Sequence, residues 1–354
     1  MRSNNQQGYI LVLTLTIVSI VVLIASQIFY TGSGFSAFCH TATAREQAKT
    51  LAMSGIPIVC AQLHIPASKK QKPAPARQRD LVDAPRSAEP AGDVGVKLLR
   101  KTLTLINRWQ QIRITLPDGT QGTVQLYVAC EDGKLLLNGL LTSLGNERVD
   151  KTVKQCIRQL LGTLARSVGS RQDLAANLYG FFKHRKGVWF NDVTELITVP
   201  GFHIFDDRTY VALPNEQKNK IQTVYLTDIF TSRAGFGTLN PWVLSASLRT
   251  MLGLRPAGQH ITGEELETML KEFKPSFNWE ADWDKTLKSF YGKDLKALPK
   301  GIDKMFSTRC EPYFFSVLAC ATVAGITQRV YAILVREERR DESVVFTPMK
   351  VYLV

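Results

Sequence analysis

Six cysteines, at 39, 60, 130, 156, 310 and 320, and five histidines, at 40, 64, 184, 203 and 260, are the side chains best suited to nucleophilic or metal chemistry. Their spacing supports neither. No two cysteines form a CxxC pair, no Cys/His cluster has zinc-ligand spacing, and no HExxH helix is present. A Gly-x-Ser-x-Gly elbow, a P-loop and a dinucleotide fingerprint are also missing. Cys310 and Cys320 are placed to bridge a C-terminal hairpin, although a buried pair of free thiols is the favoured reading. Asp206-Asp207 sets two carboxylates side by side and is weighed as a contributor to calcium binding. A solvated acidic turn before Arg208 explains the pair more simply, and no calcium ligand set follows. His203, just after a Pro-Gly-Phe turn, reads as a turn residue. No catalytic residue and no metal ligand is therefore assigned. The chain is expected not to be an enzyme.

Stepping from side chains to elements, 354 residues suffice for one large domain or two moderate ones. The net charge of +13 points to an anionic partner or a basic, soluble surface. The basic residues are dispersed, densest at 69–86 and 336–340, whereas nucleic-acid binders focus them in a stripe among aromatics. Acidic headgroups or acidic protein surfaces suit the charge equally well.

Between Arg2 and Arg45 there is no Lys, Arg, Asp or Glu. Residues 9–30 are almost all apolar or hydroxylic, and about 20 such residues span the hydrocarbon core of a bilayer as a helix. A secretory signal has an apolar region of only about 7–15 residues before a small-residue cleavage site. A retained membrane helix is the better reading, with Arg2 keeping the leader cytoplasmic and the bulk of the chain outside. Gly32 and Gly34 are expected to loosen the helix where it leaves the bilayer. Beyond them a helical pattern resumes, with Leu51, Val59 and Leu63 available to pack on a domain and Pro57 expected to kink or interrupt it.

Residues 66–95 are rich in Pro, Ala and charge and read as a flexible linker. Apolar-rich runs at 109–116 and 123–130 flank "PDGTQG", whose Asp118-Gly119 predicts a β-hairpin. Residues 151–164 and 174–182 read as helices. Asp192 with Glu195 has capping-box spacing for a helix turning Val193, Leu196 and Ile197 inward, stopped by Pro200-Gly201. A further helix is expected over 242–252, and Thr262 with Glu265 predicts another running to about Phe273. The C-terminal runs "YFFSVLACATV", "QRVYAILVR" and "VVFTPMKVYLV" read as strands, sharing one sheet with the early hairpin because neither set is stable alone.

A short leader ending in Gly8, an aromatic at Tyr9 and then a long apolar helix resemble a type IV prepilin N-terminus. The resemblance implies cleavage at Gly8–Tyr9 by a prepilin peptidase and N-methylation of Tyr9. Most pilin-like proteins carry Glu at the fifth mature position, where this chain has Leu13. The subgroup lacking that Glu is the K-type minor pseudopilin of type II secretion, the GspK family. "REQAKTLAMSG", "EDGKLLLNGL", "FNDVTELITVPGF" and "GTLNPWVL" are similar to that family's segments in the same order, with Leu136, Gly237 and Leu239 departing from its pattern.

The resemblance implies a subunit at the tip of a pseudopilus that starts its assembly. Without the Glu there is no group to pair with the amino terminus of a subunit above. It also implies the I- and J-type minor pseudopilins as partners, with an inner-membrane anchor and a periplasmic head. Calcium occurs in parts of the wider group.

The expected fold is α+β: a long N-terminal transmembrane helix packed on an antiparallel sheet with a large helical insertion. The expected parts are a leader at 1–8, a helix at 9–65 with its membrane part at about 9–30, and a linker at 66–95. A head follows from 96–150 and 301–354, with an inserted helical domain at 151–300. The rival is a membrane-anchored DNA-binding protein of a competence or pilus system, built on helix–Pro-Gly–helix units whose turn amides face phosphates. Against it, Pro200 removes one amide and no Lys or Arg lies in 194–207.

Overall fold

The computed structural model describes residues 4–66, 92–185, 189–216, 223–233, 239–255, 264–265, 268–269, 279–307, 311–339 and 343–354. The fold is α+β, as its sequence pattern predicts.

Helix α1, Asn4–Leu63, runs for 60 residues, about 90 Å at 1.5 Å per residue. It passes through Gly32, Gly34 and Pro57 without a break, which corrects the expected loosening and interruption. Pro57 is tolerated because it lies on the exposed face, and so does Met53, whose carbonyl loses its intrahelical donor to the proline. Ala44, Ala48, Leu51, Ala52, Ile56, Val59 and Leu63 recur at three- and four-residue spacing and are all buried, forming one helical stripe. That stripe lies on a five-stranded sheet.

The sheet contains β1 (Trp109–Thr115), β2 (Gln121–Cys130), β5 (Phe314–Val323), β6 (Ile326–Glu338) and β7 (Val344–Leu353). Their spatial order follows the order of the chain, and every neighbouring pair is antiparallel. The hairpin and the C-terminal strands thus share one sheet, as expected. The Asp118 carboxylate accepts from Thr120 N at 2.9 Å and from Gln47 Nε2 of α1 at 3.1 Å, fixing the β1–β2 turn against the helix. A Cβ added to Gly55 would fall 2.5 Å from Leu126 Cδ2 and 3.2 Å from Ala319 Cβ, so α1 approaches the sheet by its backbone. Where α1 ends, Ile65 and Val344 exchange two backbone hydrogen bonds of 3.0 Å, tying the helix exit to the start of β7.

Helix α2, Gly92–Leu105, begins inside the segment expected to be linker; residues 67–91 lie outside the described part. Between the two halves of the sheet come α3 (Leu137–Gly145), α4 (Lys151–Ser167), α5 (Leu174–His184), α6 (Leu226–Ile229) and α7 (Ala246–Leu252). Two-residue strands β3 (Leu135–Leu136) and β4 (Phe230–Thr231) pair in parallel. The Asp192/Glu195 capping box is present, but it opens a six-residue 3-10 helix, Val193–Thr198, with Val193 and Leu196 buried and Ile197 half-buried.

The helix expected over 242–252 is two pieces. Asn240 Oδ1 accepts from Trp242 N at 3.0 Å to start a 3-10 turn, Pro241–Val243, and Ser245 then caps α7 by accepting from Leu248 N at 3.2 Å. Thr262 and most of the helix expected after it lie outside the described residues. The far face of the sheet, carrying Tyr127, Ala129, Leu318 and Cys320, packs on Val211 and Tyr225 of the intervening region.

Candidate assembly interface

Among the described residues, nothing else in this chain packs on the first half of α1. Every residue from Val12 to Thr43 is exposed; Phe29 and Tyr30 are 83% exposed, and Phe35 and Phe38 are 70% and 69% exposed. The helix is long and apolar enough to cross a membrane. Several of its hydroxyls bond back to the helix's own carbonyls. Thr16 donates to Val12 O at 2.8 Å, Ser19 to Leu15 O at 2.9 Å, Ser26 to Leu23 O at 2.8 Å and Ser33 to Tyr30 O at 2.9 Å. A polar group left unpaired in hydrocarbon costs several kcal/mol, roughly, and this back-bonding removes that penalty. Gly8 and Tyr9 lie in the first turns of α1, and Leu13 stands on its exposed surface.

A second concentration of chemistry lies just after β2, in the turn Glu131–Gly133 and Lys134. Glu131, Asp132 and Lys134 are all nearly inaccessible. Lys134 Nζ pairs with the Glu131 carboxylate, and also donates to Thr227 O at 2.7 Å and Ser316 Oγ at 2.9 Å. The other Glu131 oxygen accepts from Thr231 Oγ1. Asp132 accepts from Tyr313 N and, at 3.1 Å, from Phe314 N, where β5 begins.

The same turn is stitched to the helical region through its backbone. Asn240 N donates to Asp132 O at 2.7 Å and Ser245 N to Gly133 O at 3.1 Å. A side chain on Gly133 would collide with the Val243 carbonyl, so only glycine admits this approach. Burying an ion pair is costly unless remaining lone pairs and protons are met, and here nearly all are. The sequence marks this turn only through the "EDGK" resemblance; nothing local announces a buried pair.

The remaining residues singled out in the sequence do not converge. His203, Asp206 and Asp207 are exposed on a 3-10 turn, His203–Arg208, and Asp207 pairs with Arg208 Nε at 3.8 Å. Among the described residues no group of three His, Cys, Asp or Glu side chains is placed to hold a metal. The Pro200-Gly201-Phe202 turn faces inward: Phe202 is fully buried and Pro200 O accepts from Asn177 Nδ2 at 3.0 Å. Arg336, within the basic run at 336–340, is also buried, between Glu311 at 2.9 Å and Glu338 at 2.6 Å.

Cys39 is exposed, Cys60 half-buried, and Cys130, Cys156 and Cys320 are buried free thiols. Burial pushes Cys156 up to about 12, helped by Asp303, and Cys320 up to about 12 against the opposing pull of Arg329. Cys310, the other half of the bridge considered above, lies outside the described residues.

No family model matches this chain, and no curated protein matches it. Among solved structures it is similar to a chain of the GspK-GspI-GspJ complex from the enterotoxigenic Escherichia coli type 2 secretion system. The identity is 14%, the likeness covers 74% of this chain and 92% of that one, and the TM-score is 0.39.

Proposed function

We propose that this chain is a minor pseudopilin of the K type, a structural subunit that starts and caps a type II secretion pseudopilus. The observation that carries the reading is the division of α1. Its second half is sealed into the head by a buried stripe, while its first half presents an uncharged apolar surface that requires lipid or other helices to cover it. In this reading residues 9–30 anchor the subunit in the inner membrane, with the head in the periplasm, until a bundle of parallel helices takes the place of lipid. Prepilin peptidase cuts Gly8–Tyr9 and methylates Tyr9. Leu13 offers no carboxylate to the amino terminus of a subunit above, which supports a position at the tip. It also avoids the cost of holding an acid in the bilayer before assembly. The I- and J-type minor pseudopilins are its partners, and its role is assembly and protein export rather than catalysis.

Mass spectrometry of the membrane-extracted protein tests the cleavage directly. An N-methylated Tyr9 terminus is expected; an intact Met1, or a cut near Ala37, would refute it. Gly8→Leu is expected to block processing and export together, and unaltered processing would overturn the assigned bond. Co-purification with I- and J-type subunits, lost when residues 9–30 are exchanged for an unrelated membrane helix, tests the assembly role.

A further inference from the structure

Between the far face of the sheet and the helical region lies an open cleft of about 250 Å³, bounded by Asn107, Trp109, Tyr127, Tyr225, Asp228 and Thr250. Its walls are aromatic. The Trp109 and Tyr127 rings lie 5.5 Å apart, tilted by 48°, and Tyr225 closes a further side. Asp228, only 1% exposed, is the single carboxylate among the described lining residues, and no Lys or Arg is among them.

Oδ2 of Asp228 accepts from Ser247 N at 2.7 Å, and Oδ1 accepts a long hydrogen bond of 3.4 Å from Tyr127 Oη. That separation lies beyond the roughly 2.5–3.0 Å typical of O–H···O, so the bond is weak. An ionised carboxylate has about four acceptor positions, so Oδ1 retains capacity for a strong donor. Burial, reinforced by Asp228, raises Tyr127 well above the usual phenol range and keeps its hydroxyl protonated. Arg249 is buried nearby and does not line the cleft, but its charge acts on Tyr127 and partly opposes that rise. A cation held against aromatic faces and paired with a desolvated carboxylate gains from both.

We infer that this cleft is a binding site for an organic cation, an alkylammonium or guanidinium group, held by Asp228 and enclosed by Trp109, Tyr127 and Tyr225. A lysine or arginine side chain of a partner protein and a free small amine share that chemistry.

The test uses the full chain in detergent micelles and amine-free buffer, labelled with 5-fluorotryptophan, with the Trp109 ¹⁹F resonance assigned through Trp109→Phe. Titration with n-butylammonium and with methylguanidinium is expected to shift that resonance saturably, at least tenfold more tightly than n-butanol. Asp228→Asn is expected to abolish the preference for the cation over n-butanol. Should that variant unfold, Ala246→Phe, which fills the cleft from its rim, is expected to remove the shift while the thermal transition is kept. Equal response to n-butanol and n-butylammonium, or an unchanged cation response in either folded variant, would overturn the site. Tighter binding of N-acetyl-lysine amide than of n-butylammonium assigns the site to a protein side chain, and the reverse order assigns it to a free amine.

Discussion

The ammonium of Lys134 donates to the hydroxyl of Ser316 at 2.9 Å across 182 positions of sequence, joining the turn after β2 to β5. With Thr227 O as a further acceptor and Glu131 as counter-ion, one side chain holds the sheet and the helical region in a single register.

Lys134→Met is therefore expected to cost about 3–5 kcal/mol, because it leaves Glu131 buried and charged without its partner. The double variant Glu131→Gln/Lys134→Met is expected to recover most of that loss, since the desolvation cost disappears along with the attraction. Chemical denaturation in mild detergent, followed by tryptophan fluorescence, measures both. A loss below about 1 kcal/mol for the single variant would be the value of an exposed pair and would contradict the burial described.

Gly55→Leu should force α1 off the strands, since even a Cβ there meets Leu126 and Ala319. Overpacking of a close-packed contact costs roughly 1–3 kcal/mol, and here it falls on the seam between helix and sheet. Amide exchange along residues 44–63 is expected to accelerate more than exchange in α4 or α5.

Asp150 opens α4, accepting from Thr152 N and Oγ1 at 2.8 Å, and pairs with Lys304. The Lys304 hydrogen bond, then those from Thr152, hold its carboxyl far below the usual carboxylate range. A folded-state value below the unfolded one, about 3.9, means that the contribution is full above that pH and fades as pH falls toward the folded value. Protection of the first amides of α4, taken relative to their intrinsic exchange rates, is expected to fall as pH drops below about 4. In Asp150→Ala that protection should already be reduced at neutral pH and fall little further in acid. Because the pair is exposed, 1 M salt should shrink the difference between parent and variant.

Thiol labelling at pH 7 should follow exposure. Cys39 is expected to react first among the described cysteines, with Cys60 slower, because burial raises its thiol. Cys130, Cys156 and Cys320 are expected to react only on unfolding; fast labelling of Cys320 in the folded chain would contradict the packing of the far face of the sheet. Mass mapping of labelled peptides checks each site.

The elements whose signals lie within a few residues were legible in advance. Asp118-Gly119 fixed the hairpin, the aromatic and β-branched runs gave β5, β6 and β7, and 151–164 and 174–182 marked α4 and α5. Leu51, Val59 and Leu63 were readable as a packing stripe because helical spacing is itself a local pattern. Boundaries set by single side-chain bonds were harder. The helix expected over 242–252 divides because Ser245 caps a new start, and the Asp192/Glu195 box opens a 3-10 turn because Pro200 leaves no room for more. The polar turn at 131–134 was out of reach. Its partners Thr227, Thr231 and Ser316 lie about a hundred or more positions away, and a charged run in sequence ordinarily marks a solvated surface.

The exchange of hydrogen bonds between Ile65 and Val344 has a mechanical consequence. A pull along the axis of α1 reaches the head through the buried stripe on the sheet and through this bridge at the far end of the helix. One holds the helix along its second half and the other at its exit, so the load is shared among many contacts at once. The helix and sheet would then move as one stiff body under tension, and a push or pull applied at the first turns would arrive at the head with little lost along the way.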